Sequence, residues 1–235
     1  IGPSYSDVAS FLHHCSQTER VAFDTEVLNH QVSCISFSCD PLQAMSIPFV
    51  GEGGRDYWTL EEEGMIWLMI AKILGDEKIQ KINQNILFDI QFLWQRNSII
   101  TRGQVDCTMC AFGVMYPDLP KDLGFILSLT TKEPYYKDDK KLWSKPWVDL
   151  ETFWRYNAKD SCCALEAWDV LLADMKEQGY YHTYRDLTMD DAPYARYMMS
   201  RGIKANTSRL GEYRDVVNKD LEGLHACLLY TSPSP

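Results

Sequence analysis

Three apolar runs at strand spacing stand out first: Arg20 to Phe23, Val32 to Ser38 and Ala44 to Val50. Polar turn signals at Asn29-His30-Gln31 and Asp40-Pro41 separate them. The separators are short, so the three runs are expected to pair as an antiparallel meander. From Thr59 to Leu74 the apolar positions change to helical spacing. Thr59 is placed to cap that helix, and acids fill its first turn, where the helix dipole favours them. Lys78 to Asn83 predicts a fourth strand, Ile86 to Arg96 a helix, Gln104 to Asp106 a last short strand, and Cys107 to Met115 a helix. Strands joined by turns, followed by strands alternating with helices, predict an α/β layer fold with a mixed sheet.

Beyond the sheet the pattern is mostly helical. Asp118 to Thr130 reads as a loop and then a helix, with Leu123, Ile126, Leu127 and Leu129 offering an apolar face. Thr131 to Trp147, dense in charge and aromatics (KEPYYKDDKKLWSKPW), reads as an irregular surface segment. Trp154 to Lys176 predicts a long helix and Tyr181 to Ser200 another, which Gly202 ends. A helix restarts after Lys204 with Asn206 or Thr207 as its cap. The charged helical pattern stops at Ala226. Cys227 to Pro235 (CLLYTSPSP) resembles one reading frame of a sequencing adapter; it is read as a library artefact or a disordered Ser/Pro tail, and no function is read from it.

A chain of 235 residues with 46% hydrophobic composition can bury one good core plus a smaller appendage. The longest apolar stretch, Met65 to Leu74, is too short and interrupted to cross a bilayer, so no membrane partner is expected. The opening IGPSYSDVAS has neither the basic start nor the apolar run of a secretory signal, and without an initiator Met the sequence is expected to be a fragment. The formal charge of −10 argues against an autonomous nucleic-acid binder, because backbone binding needs a basic surface. It does not argue against a module whose acids serve metal ions. Eight cysteines without a signal point to free thiols in a reducing cytoplasm. Cys107-x-x-Cys110 has no matching second pair and Cys162-Cys163 no nearby histidine, so both are read as buried helix thiols rather than zinc ligands.

Candidate chemistry lies in three separated motifs. Asp24 and Glu26 in AFDTE are two apart at the end of an apolar strand, so their side chains share a face. Asp89 in NQNILFD sits at the start of a helix with Asn85 one turn before it; a capping role in the helix N-terminal field explains Asp89 taken alone. Tyr156 and Asp160 in YNAKD are four apart, hence on one helix face. Four acids gathered in one fold repel one another and resist desolvation. Divalent cations remove that penalty. Oxygen-only ligands suit Mg²⁺, with Mn²⁺ as a substitute.

Taken together and in this order, AFDTE, NQNILFD and YNAKD resemble the three motifs of the DEDD superfamily of 3′–5′ exonucleases, in its tyrosine-containing (DEDDy, DnaQ-like) branch. The histidine branch would place a histidine where Arg155 stands. The resemblance implies a ribonuclease H-like fold with a central five-stranded mixed sheet, flanked by helices and followed by a helical C-terminal extension. It also implies Asp24, Glu26, Asp89 and Asp160 as ligands of two metal ions, Tyr156 as the residue orienting the attacking water, and Asn85 near the terminal nucleotide. A narrower resemblance is to the proofreading domain of bacterial and phage family A DNA polymerases. It is carried by VDCTMCAFGVMYPDLPKDLGFILSL, by EPYYKDDKK, and by DAPYARYMMSRGIKANTSRLGEYRDVVNKDLEGL, which is similar to helices entering such a polymerase's thumb. The implied organisation is an exonuclease domain over 1–186, a truncated thumb-like region over 187–226, and the tail over 227–235. The implied substrate is a single-stranded or frayed 3′ end of DNA, with a polymerase domain missing in cis and a bacterial or phage-infected host cytoplasm as the setting. A ribonuclease D-like RNA-trimming enzyme and a catalytically silent scaffold of the same fold are the alternatives.

Overall fold

The computed structural model describes residues 1–136 and 149–231, with the side chains of 228–231 left aside. Residues 137–147 of the segment Thr131 to Trp147, and the last four residues of the tail, lie outside the described residues. Residues 1–200 form one compact unit and residues 201–235 a second.

A helix absent from the sequence expectations comes first. In α1 (Tyr5–Cys15), Ser4 and Asp7 form a reciprocal capping box, and Val8, Leu12 and Cys15 fall on one buried face. The apolar stripe is only three residues deep, which is why composition hid it. β1 (Arg20–Leu28), β2 (Gln31–Asp40) and β3 (Gln43–Pro48) form the expected antiparallel meander. β1 runs four residues beyond Asp24, however, so Asp24 and Glu26 lie inside the strand rather than at its end. Pairing to β2, Asp24 to Ser36 and Glu26 to Cys34, carries the strand through its charged positions, and the register shifts only after Glu26.

The helix α2 (Leu60–Gly75) begins as expected. Thr59 accepts from the Glu62 amide while the Glu62 carboxylate accepts from the Thr59 amide. Then come β4 (Gln80–Asn83), α3 (Ile86–Asn97), β5 (Val105–Cys107), α4 (Thr108–Met115) and α5 (Leu123–Thr130). β4 pairs parallel to β1 and β5 parallel to β4, completing a mixed five-stranded sheet in the order β3-β2-β1-β4-β5. β1 is therefore central, with Val21, Ala22 and Phe23 fully buried. The long helix α6 (Leu150–Glu177) starts on the Asp149 cap and lies across β1, β2 and β3.

Tyr181 to Ser200 is not one helix. A π-helical segment (Thr183–Met189) is followed by a turn and by α7 (Ala192–Arg201), with Gly202 left-handed directly after it. Buried Tyr184 explains the irregular winding: its hydroxyl donates to Asp106 Oδ1 at 3.0 Å and accepts from the Cys107 amide at 2.8 Å, which pins the segment to β5. Arg185 also pairs with buried Asp106. α8 (Thr207–Thr231) has Asn206 accepting from the Arg209 amide, and it carries on five residues past Ala226. Its apolar positions Val216, Val217 and Leu221 are exposed. Among the described residues no helix is long and apolar enough to cross a membrane. Cys15, Cys34, Cys39, Cys107, Cys110, Cys162 and Cys163 are free thiols; of the two pairs read as buried helix thiols, only Cys107 and Cys163 are buried, and Cys107 closes a strand.

Lys81, fully buried in β4, is an exception to ordinary strand chemistry. Its ammonium donates to the Asp76 carbonyl and, at 2.7 Å, to that of Arg102. Gly103 makes this approach possible. It is left-handed, and a Cβ there would lie 2.5 Å from the Glu77 carbonyl oxygen. Burial, opposed by the charges of Asp76 and Glu77, lowers the Lys81 pKa to about 8 from 10.5. Between those values the unfolded chain holds a proton that the folded chain has released, so stability gained through Lys81 rises with pH. Urea denaturation at pH 7.5 and pH 10 should show the wild type gaining stability relative to Lys81→Met at the higher pH. A pH-independent gap would contradict this.

Candidate active site

The site follows from strand alternation. Asp24 and Glu26 project from one face of β1, and Thr25 between them from the other. α6 crosses the first face and brings Asp160 down to it. One carboxylate oxygen from each of Asp24, Glu26 and Asp160 lies within 4.8 Å of the others. Two ionised carboxylates at that spacing repel by roughly 3–4 kcal/mol at an effective dielectric of about 20. A hydrogen bond to a charged group returns only about 1.5–3 kcal/mol. A shared cation is the arrangement that removes the conflict, and three hard oxygen donors at this spacing fit a Mg²⁺-like ion.

Asn157 holds α6 in this position. Fully buried, it spends both amide hydrogens on Asp24, donating to the backbone oxygen at 3.1 Å and to Oδ2 at 2.9 Å. Its Oδ1 accepts from Ser46 at 2.8 Å, and its backbone oxygen accepts from Ser36 at 2.7 Å. One residue thus joins α6 to β1, β2 and β3 while aiming a carboxylate.

Asp160 has its own support. The buried Tyr136 hydroxyl donates to Asp160 Oδ1 at 2.7 Å, and its ring meets Tyr156 edge-on at 5.6 Å between centroids. The segment read as irregular surface therefore contributes a buried partner of the site. Glu133 of the same segment pairs with Lys159, whose ammonium also lies over the Tyr136 ring.

Asp89 is placed differently. Its carboxylate does not cap α3. Oδ1 accepts from the Thr25 amide at 3.0 Å and from the Thr25 hydroxyl, and Oδ2 accepts from Asn83 Nδ2 at 3.0 Å. Burial raises its pKa to about 7, against the lowering effect of the Thr25 hydrogen bonds. Asp89 borders the same cleft but does not join the close carboxylate trio.

That cleft has a volume of about 740 Å³ and is lined by Asp24, Glu26, Asp89, Tyr156 and Asp160 together with Asn85. All six residues singled out in the sequence therefore meet in one depression. Asn85, left-handed at φ 53°, starts α3 without a side-chain cap, so its amide remains on the cleft wall. Phe88 is half-exposed on the same wall and stacks against Phe92 at 6.1 Å. Tyr156 is nearly buried. Burial first, and the charges of Asp160, Glu26 and Asp24 next, push its phenol pKa upward, so it stays protonated.

Solved structures share this architecture. Brucella melitensis NrnC with bound Mg²⁺ matches with a TM-score of 0.57 at 20% identity, over 80% of this chain and 88% of its own. Escherichia coli RNase D, an exoribonuclease involved in structured RNA processing, matches with 0.59 at 16% identity, over 85% of this chain and 50% of its own. The fold is that of the ribonuclease H-like exonucleases. The POL domain of Pol1 from M. smegmatis, in complex with DNA primer-template and dNTP, matches with 0.64 at 13% identity, over 94% of this chain and 35% of its own. No protein-family model matches the sequence, and no curated protein matches it.

Asn157 and Tyr136 escaped the sequence reading, as did Thr25 and Asn83. Asn157 had one available signal: it is three residues before Asp160, within the same motif. Tyr136 had none, because its partner lies 24 positions away and no local pattern joins the two. Partners that orient metal ligands typically change metal affinity by about 10–100-fold when lost. Asn157→Ala and Tyr136→Phe should each weaken Mn²⁺ binding by about tenfold or more in calorimetric titration. Wild-type affinity in both variants would mean that the trio does not hold the ion.

Proposed function

We propose that this chain is a metal-dependent 3′–5′ exonuclease that hydrolyses the terminal phosphodiester of a nucleic acid and releases nucleoside monophosphates. The observation that carries the reading is the meeting of Asp24, Glu26 and Asp160 beneath Tyr156 in an open cleft. Asp24, Glu26 and Asp160 would hold one Mg²⁺, or Mn²⁺ in its place, and Asp24 with Asp89 a second. Bound divalent ions supply an acidified water and charge stabilisation at the leaving oxygen.

The chain's own groups do the rest. The protonated Tyr156 phenol accepts and donates a hydrogen bond, so it orients the attacking water without serving as the base. Asn85 and Phe88 on the opposite wall receive the terminal nucleotide, the amide by hydrogen bonding and the ring by stacking. Asn157 keeps Asp24 from turning away from the scissile phosphate. Threading a few unpaired nucleotides into the cleft selects single-stranded or frayed 3′ ends.

The preferred substrate is DNA, with the chain as the proofreading part of a family A DNA polymerase acting in a reducing cytoplasm. The match to the Pol1 POL domain, which takes in 94% of this chain and so reaches into its C-terminal helices, supports that choice. The match to RNase D, over 85% of this chain, supports RNA trimming as the second reading. Incubation of a 5′-labelled single-stranded DNA and a matching RNA with Mg²⁺ should yield a ladder shortening from the 3′ end of DNA. EDTA, Asp24→Ala or Asp160→Ala should abolish it, a loss of about a thousandfold or more, with the circular dichroism spectrum unchanged. Shortening of RNA alone would assign the RNA substrate. Full activity in either variant would refute the site.

A further inference from the structure

A second cavity, of about 340 Å³, lies between α3, the loop entering β5, the π-helical segment and α7, and it shares no lining residue with the carboxylate cleft. Three arginines reach it: Arg102, Arg185 and Arg196. In a chain of net charge −10 such a cluster is conspicuous. Its charges are unevenly matched. Arg102 has Glu77 at 3.9 Å, and Arg185 spends one terminal nitrogen on Asp106 and the other, at 3.3 Å, on the Val105 carbonyl. Arg196 makes no ion pair among the described residues, and the wall's single acid, Asp190, is exposed.

Three residues of the same wall carry unmet hydrogen-bonding capacity. Arg185 Nε, Arg196 Nε and Thr101 Oγ1 are buried without a hydrogen-bond partner. All three atoms can donate, and buried donors left unmade cost about 1–3 kcal/mol each. A ligand able to satisfy several donors of one wall at once is an anion offering only acceptors. The guanidinium fork matches the oxygens of a phosphate in particular.

We propose that this cavity is a phosphate-binding site, separate from the catalytic cleft, which takes a phosphate group free or carried by a nucleotide. Arg196 grips the phosphate oxygens, and Arg185 Nε and Thr101 each donate a further hydrogen bond. A cavity of this size admits the sugar as well. Burial lowers the Arg196 pKa, and a bound anion would offset that cost of desolvating the cation.

The test is calorimetric titration of the full chain in EDTA, so that binding through metal in the carboxylate cleft is removed. The probes are inorganic phosphate, dAMP, and a short DNA oligonucleotide without terminal phosphates. One molecule of phosphate or dAMP is expected to bind per chain, with affinity falling roughly ten- to hundredfold in Arg196→Met. Thr101→Val, which changes no charge, should weaken binding less, and Asp24→Asn should leave it unaltered. Oligonucleotide binding that Arg196→Met weakens would assign the phosphate to a nucleic-acid backbone; binding of dAMP and phosphate alone would assign it to a free nucleotide. The proposal is overturned if none of the probes binds. It is also overturned if Arg196→Met and Thr101→Val, each folded by circular dichroism, both bind as the wild type does, or if Asp24→Asn abolishes binding. None of these outcomes depends on exonuclease activity.

Discussion

The site depends on Asn157. Its side chain grips Asp24 twice, and its amide oxygen and backbone carbonyl take hydroxyls from Ser46 on β3 and Ser36 on β2. A fully buried amide is costly unless its bonds are made, so α6 has one low-energy seat on the sheet. That seat fixes two functional groups on the same helix. Tyr156 precedes the clamp by one residue and Asp160 follows it by three, and both line the cleft above β1. Three of the four Asn157 bonds join neutral groups and do not change when the carboxylates change protonation or bind an ion; only the bond to Asp24 Oδ2 does.

Sheet order gives this clamp its meaning. Because β1 is central, its carboxylates have β2 and β3 on one side and β4 on the other, with α6 above the meander and α3 reached through β4. Asp24 and Glu26 belong to the α6 side, whereas Thr25 turns the other way and binds Asp89. The two faces of a single strand therefore address two helices. The cleft's carboxylates are accordingly unequal: a tight trio held through α6, and beside it Asp89, already held by Thr25 and Asn83.

Periodicity exposed most of the architecture because the relevant signals are local. The turn residues between β1 and β3, the Thr59–Glu62 cap and the Asn206 cap all act over a few residues, and each is in place. The grouping of Asp24, Glu26, Asp89, Tyr156 and Asp160 was legible from motif order. What escaped was non-local. Nothing near Tyr136 announces that it is buried beside Asp160, and the π-helical winding at Tyr184 comes from a bond to Asp106, 78 positions away. Even β1 was read short, since alternation ends at its acids while its backbone pairing to β2 does not.

Anomalous diffraction from Mn²⁺-soaked crystals of the full chain would locate the ion. An anomalous peak is expected within ligand distance of Asp24, Glu26 and Asp160, and its loss in Asp160→Ala crystals. A well-ordered trio with no peak, or a peak elsewhere only, would contradict metal binding by the trio.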